Sequence, residues 1–262
     1  MRRVRPAGAP ARRGTGRHRA VALVAALALL AACNRGFQTA KFHTSEALFA
    51  ASLEEFGKRH WENAGKGFER LTLDLPSRDP LLPLAYWYLA QTYDRREEHL
   101  IAAQNFQRLA EVFPEDSLAD DALFAAGWQY SKMWTTPEVD PQYALLAQST
   151  WRGLLSTYPE TALRDTLGKT MLALDDRLAR KDYQTGLHYL RRNAYDSAII
   201  YFKDVMKTYP ATGHARLSGI RLLESYRAIR YQDEARELCE SLRKSYPRDP
   251  EVATACALPP PR

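Results

Sequence analysis

Three cysteines, six histidines and a few adjacent carboxylates are the residues of this 262-residue chain whose types could do chemistry. The histidines (His18, His43, His60, His99, His188, His214) show no metal-ligand spacing and read as solvated helix positions. Glu97-Glu98 and Asp175-Asp176 read as solvated faces rather than acid/base dyads. The first pair falls at an inter-helix turn and the second within a long amphipathic run. No glycine-rich phosphate loop, nucleophile elbow or paired-cysteine motif is present. The chain is therefore expected to be non-enzymatic, without metal or cofactor.

The cysteines carry the remaining chemistry. Residues 1–20 are basic and polar, Val21 to Ala32 is an apolar run, and Cys33 follows. Twelve apolar residues are too few for a bilayer core that needs roughly 20, so residues 1–32 read as a secretory signal peptide. Leu30-Ala31-Ala32-Cys33 resembles the bacterial lipobox, which implies a lipidated Cys33 as the new N-terminus. Asn34, rather than an inner-membrane-retaining aspartate, implies the inner leaflet of the outer membrane. Cys239 and Cys256 flank Pro247 by eight and nine residues, on two helices expected to run antiparallel. In an oxidising compartment they can pair as a disulfide. Cys239 also falls at an aromatic core position of its repeat, where a free buried thiol fits as well.

Charge agrees with export. The net charge is +6, but Arg2, Arg3, Arg5, Arg12, Arg13, Arg17 and Arg19 all lie in the leader, with no acid beside them. Removing those seven charges turns +6 into −1 for residues 33–262. Nucleic-acid binding loses its main support.

The elements that must position everything else recur. Tyr86-x2-Leu89-Ala90-x2-Tyr93, then Ala102-x3-Phe106 and Pro114, is the tetratricopeptide pattern. Spacings of three and four put the first set on one helical face. Ala90 and Ala102 let two helices approach, and the proline ends the second. The pattern returns with Pro76, Pro159, Pro210 and Pro247. The expected fold is all-α, a solenoid of about five tetratricopeptide-like helix pairs. The expected boundaries are a tether over 33–44, repeats one and two over 45–114, repeat three over 115–160, and repeats four and five with a closing helix over 161–258. Repeat three is eight residues longer between Gly127 and Pro159 than repeat two between Ala90 and Pro114, which places a protruding loop at Thr135 to Gln142. Thr161 to Arg192 reads as one long helix whose second half opens repeat four.

A lipobox followed by five such repeats resembles the BamD family of outer-membrane assembly lipoproteins. Asp120-x-Ala122-x-Phe124-x2-Gly127 is similar to a family stretch, although Asp121 stands where tyrosine is usual. Leu178-Ala179-Arg180 with Tyr183, Tyr189 and Tyr195 resembles its long fourth-repeat helix. The family's Gly-x-Tyr before the second helix of repeat one appears here as Arg59-His60-Trp61. The resemblance implies a scaffold that holds a BamA-like assembly protein through its POTRA domain and engages unfolded outer-membrane β-barrel proteins. Other tetratricopeptide envelope lipoproteins, for pilus secretion or envelope coordination, share the general layout. A cell-wall hydrolase would need a catalytic module, and no stretch of that size remains outside the repeats.

The first helix of each pair is expected to line a concave groove. One residue after the large consensus position, and one turn on, stand Trp87 and Gln91, Phe124 and Trp128, and in repeat one Phe49, Leu53 and Phe56. Their aromatic character predicts a groove for an extended segment bearing aromatic residues. Arg180, Arg191, Glu224 and Arg227 at comparable positions of repeats four and five predict a face for a folded, charged partner.

Overall fold

Alanine, glycine and aromatic residues at helical spacing, broken by proline, produce helix after helix. The computed structural model describes residues 37–136 and 139–257. After a 3-10 turn at Thr39–Lys41 come α1 (Ser45–Gly57), α2 (Trp61–Asp74), α3 (Leu81–Arg95), α4 (His99–Val112), α5 (Ala119–Met133), α6 (Gln142–Thr157), α7 (Arg164–Leu190), α8 (Tyr195–Thr208), α9 (Gly213–Ala228), α10 (Gln232–Ser245) and α11 (Pro250–Ala257). Each helix packs chiefly on its sequence neighbours. The pairs α1–α2 through α9–α10 form five hairpins, and α11 closes the last. The protein is an all-α tetratricopeptide-type solenoid.

Each boundary has a local cause. The hairpin turns of pairs one, two, four and five place Arg59, Glu97, Asn193 and Arg230 in the left-handed region, with φ of 63°, 62°, 59° and 63°. Arg59 thus adopts, without glycine, the conformation that glycine favours at such a turn. After each closing proline an Asp or Thr side chain caps the next helix. Asp79 accepts from the Leu81 N–H (2.9 Å), Asp116 from Leu118 (2.9 Å), Thr161 from Leu163 (3.2 Å), Thr212 from Ala215 (3.2 Å) and Asp249 from Glu251 (2.9 Å).

Small residues set the distance between the two helices of a pair. A Cβ on Gly127 would lie 2.3 Å from the Trp151 Nε1, and one on Gly186 would lie 2.6 Å from the Phe202 ring. Trp151 and Phe202 are fully buried on those glycines. Ala90 and Ala102 play the same part between α3 and α4, both wholly buried. Neighbouring pairs then share cores, so no hairpin buries its apolar face alone. Tyr158 adds a polar tie, its hydroxyl donating to the Pro114 carbonyl of the preceding pair at 2.8 Å.

Three expectations are corrected. The fold begins within the segment expected as a tether over 33–44, because Phe37 and Phe42 contact each other (5.5 Å between centroids) and pack on the core of the first pair. Phe49 is a core residue rather than a groove residue, seated edge-on against Phe68 and Tyr88. Leu53 and Phe56 are half-buried in the same core, Phe56 against Trp61 and Tyr88. Among the described residues no hairpin precedes α1, and its apolar residues are drawn onto α2 and α3. Arg227, expected to meet a partner, instead donates to the Ala255 carbonyl of α11 at 2.6 Å. The lipobox, Cys33 and the proline-rich end lie outside the described residues.

Candidate functional site: an aromatic groove with a cationic rim

Trp87 and Gln91 on α3 and Phe124 and Trp128 on α5 are brought together around one concavity of about 500 Å³. Helix spacing explains it, since each pair lies one turn apart and the two helices open successive hairpins. Phe106 of α4 forms the floor, with Trp87 edge-on to it at 5.2 Å. Trp128 is the most open of the four, 46% exposed. Phe124 stacks on Trp151 at 6.2 Å, and the Trp151 indole N–H donates to the Phe124 carbonyl at 3.0 Å. The packing positions Tyr86, Leu89 and Tyr93 of α3 stay outside the groove. Burial, then a hydrogen bond to Glu69, push the Tyr93 hydroxyl well above the usual phenol range.

The opposite wall is the first half of α7. Thr166 and Thr170 face the aromatic residues. A second concavity of about 360 Å³ shares Trp128 and Thr170 with the first and continues past Lys169 and Arg177. Arg177 lies 4.8 Å over the Trp134 ring and donates to the Trp134 carbonyl at 2.7 Å. That contact fixes the start of the inter-helix loop to α7. Trp134 is itself buried, and its indole donates to Val139 at 3.2 Å. The loop therefore leaves from an anchored base.

Charge in the groove is predominantly positive. The acid at its edge, Asp94, is already paired with Lys132 at 2.6 Å. Nearby, the buried Gln129 takes His99 at 2.9 Å. Arg95, Lys169 and Arg177 have no acidic partner within ion-pair distance among the described residues. Sequence reasoning named the aromatic residues but missed this rim. The i, i+3 and i+4 spacing of Thr166, Lys169 and Thr170 was visible, yet it reads like any solvated helix face.

The residues expected to meet a charged partner do not converge in this way. Arg180 on α7 and Arg191 after it are exposed, and Glu224 on α9 is paired with Arg221 at 2.9 Å. Cys239 and Cys256 are joined by a disulfide between α10 and α11. No group of three His, Cys, Asp or Glu side chains able to hold a metal occurs among the described residues, and no described helix is long and apolar enough to cross a membrane.

Comparison with known proteins adds the following. A family described as "YfiO: Outer membrane lipoprotein" matches residues 42–242. A protein of Vibrio cholerae named outer membrane protein assembly factor BamD is 36% identical over 94 residues, which is 36% of this chain and 39% of that one. Proteins of the same name are similar over more of their length. That of Rickettsia prowazekii is 22% identical over 76% of this chain and 74% of its own, and that of Neisseria gonorrhoeae 23% over 80% and 82%. Among solved structures, the TPR domain of P58(IPK) aligns with a TM-score of 0.43 at 14% identity, covering 81% of this chain and 54% of that one. At that score it carries no weight, and the fold rests on the hairpins themselves.

Proposed function

The chain belongs to the YfiO family of outer membrane lipoproteins, and from that premise we propose that it is a non-catalytic scaffold of the machinery that assembles β-barrel proteins in the outer membrane. Cys33 carries the acyl anchor on the periplasmic face. One acyl chain anchors only marginally, so the two or three chains of a bacterial lipoprotein give stable residence. The groove of α3, α5 and α7 receives an extended segment of an unfolded barrel protein. Repeats four and five, through Arg180, Arg191 and Glu224, hold a BamA-like assembly protein by its POTRA domain.

The observation that carries this reading is the groove. Trp87, Phe124 and Trp128 converge on one concavity although none of them is needed at the consensus packing positions. A β-strand destined for a barrel alternates apolar and polar residues and offers aromatic residues at its ends, which suits aromatic walls with a polar wall opposite.

The test is affinity capture of the full-length protein from detergent-solubilised outer membranes, with a Cys33→Ala control. Recovery of a barrel-forming protein with POTRA domains is expected. The control is expected to leave the membrane in a high-salt wash. Capture of pilus-secretion or division proteins in place of a barrel-forming partner would replace this reading by that of another envelope lipoprotein.

A further inference from the structure

The closing helix α11 is held from two sides. From α10, Cys239 is bonded to Cys256, their Cα atoms 5.6 Å apart. From α9, Arg227 donates to the Ala255 carbonyl at 2.6 Å, and Arg216 pairs with Asp249 (3.0 Å) and Glu251 (2.6 Å). Val252 is almost fully buried, and Ala255 and Cys256 complete the core shared by α8, α9 and α10.

A repeat array needs its end face covered, and α11 covers it in the manner of a ligand. It has eight residues, too few to be helical alone, so its structure depends on docking. It presents acidic side chains and the negative end of a helix to two arginines of α9. The sequence holds three cysteines, and the third is Cys33 at the leader junction. Cys239 and Cys256 are therefore each other's partner within the folded region. Cys256 is only half-buried, whereas Cys239 is buried, so the bond is open to attack from the Cys256 side.

We propose that α11 is a tethered ligand latched by the Cys239–Cys256 bond, and that reduction frees a docking face for a partner helix acidic at its N-terminal end, with Arg216 taking its carboxylates and Arg227 a carbonyl of its last turn. The step is thiol–disulfide exchange with a dithiol. One thiolate of the reductant bonds to the Cys256 sulfur and expels the Cys239 thiolate. The second thiol then closes the reductant's own disulfide and releases Cys256. Two electrons and two protons pass to the protein, and the dithiol is oxidised.

Hydrogen–deuterium exchange on the mature full-length chain, oxidised and then reduced with dithiothreitol, reads the latch directly. Opening a loop of this size corresponds to roughly a 100-fold effect in the chain-entropy model. The α11 amides are expected to exchange at least about 10-fold faster after reduction, with α3–α6 unchanged. The Cys239→Ser/Cys256→Ser variant should match the reduced protein. A synthetic peptide covering 248–257, carrying Cys256→Ser, should bind the reduced chain and not the oxidised one, and Arg216→Ala/Arg227→Ala should abolish that binding. Equal protection of α11 in both redox states overturns the latch, as does loss of protection throughout α7–α10. A peptide that fails to bind the reduced chain overturns the docking face. If the double serine variant does not fold, the freshly reduced wild-type chain gives the same reading.

Discussion

Glycine at 127 shows how one side chain's absence sets the site. The buried Trp151 occupies the space a Cβ would take, and its indole is fixed on the Phe124 carbonyl at 3.0 Å. Alanine at an interior helix position gains about 1 kcal/mol over glycine in propensity. Forcing a methyl against a fixed buried ring costs about 1–3 kcal/mol. The clash is the larger of the two effects, so Gly127→Ala is expected to lower stability by up to about 2 kcal/mol and to disturb Phe124, whose ring stacks on Trp151. Chemical denaturation checks the first effect and tryptophan fluorescence the second. An unchanged midpoint would mean that Trp151 can shift. Much of this was legible in the sequence, because a small residue and an aromatic recur at fixed offsets. Which aromatic residues face the groove was legible only in pairs two and three. In pair one, Phe49 obeys the same offset yet turns inward onto Phe68 and Tyr88.

At the scale of the element, proline and capping residues mark the helix ends, and the described residues form five hairpins of the kind the pattern implies. The hairpin turns were not legible in full. Arg59, Glu97 and Arg230 occupy a left-handed conformation that nothing in their residue types announces. An ordinary residue there costs roughly 1–2 kcal/mol, and asparagine less. Asn193 shows the better-suited choice within the same molecule. Arg59→Asn and Glu97→Asn are each expected to raise stability by about 0.5 kcal/mol, whereas Asn193→Val should lower it by about 1–2 kcal/mol. Thermal melts of the three variants decide it, and a stable Asn193→Val would refute the turn assignment. The docking of Phe37 and Phe42 was hidden because two aromatic residues in a short polar segment carry no periodicity.

At the scale of the molecule, the solenoid divides its work along its length. The first pair is covered by Phe37 and Phe42, and α11 covers the last, so both ends are occupied from within the chain. Between them the early half of α7 turns an aromatic strip into a groove by adding a polar and cationic wall. That wall was out of reach of sequence reasoning. Lys169 and Arg177 are ordinary surface residues until tertiary packing sets α7 across from α5.

A peptide titration tests the groove directly. The probe is a labelled ten-residue barrel-type strand ending in an aromatic residue, titrated against the wild-type chain and against Trp87→Ala/Trp128→Ala. These two residues are chosen because neither supports Trp151, as Phe124 does. Aromatic contacts of about 0.5–1.5 kcal/mol each predict an affinity loss of roughly 10-fold, about 1.4 kcal/mol, in a double variant that remains folded by circular dichroism. Equal affinity of the folded double variant and the wild type would contradict the assignment of this groove.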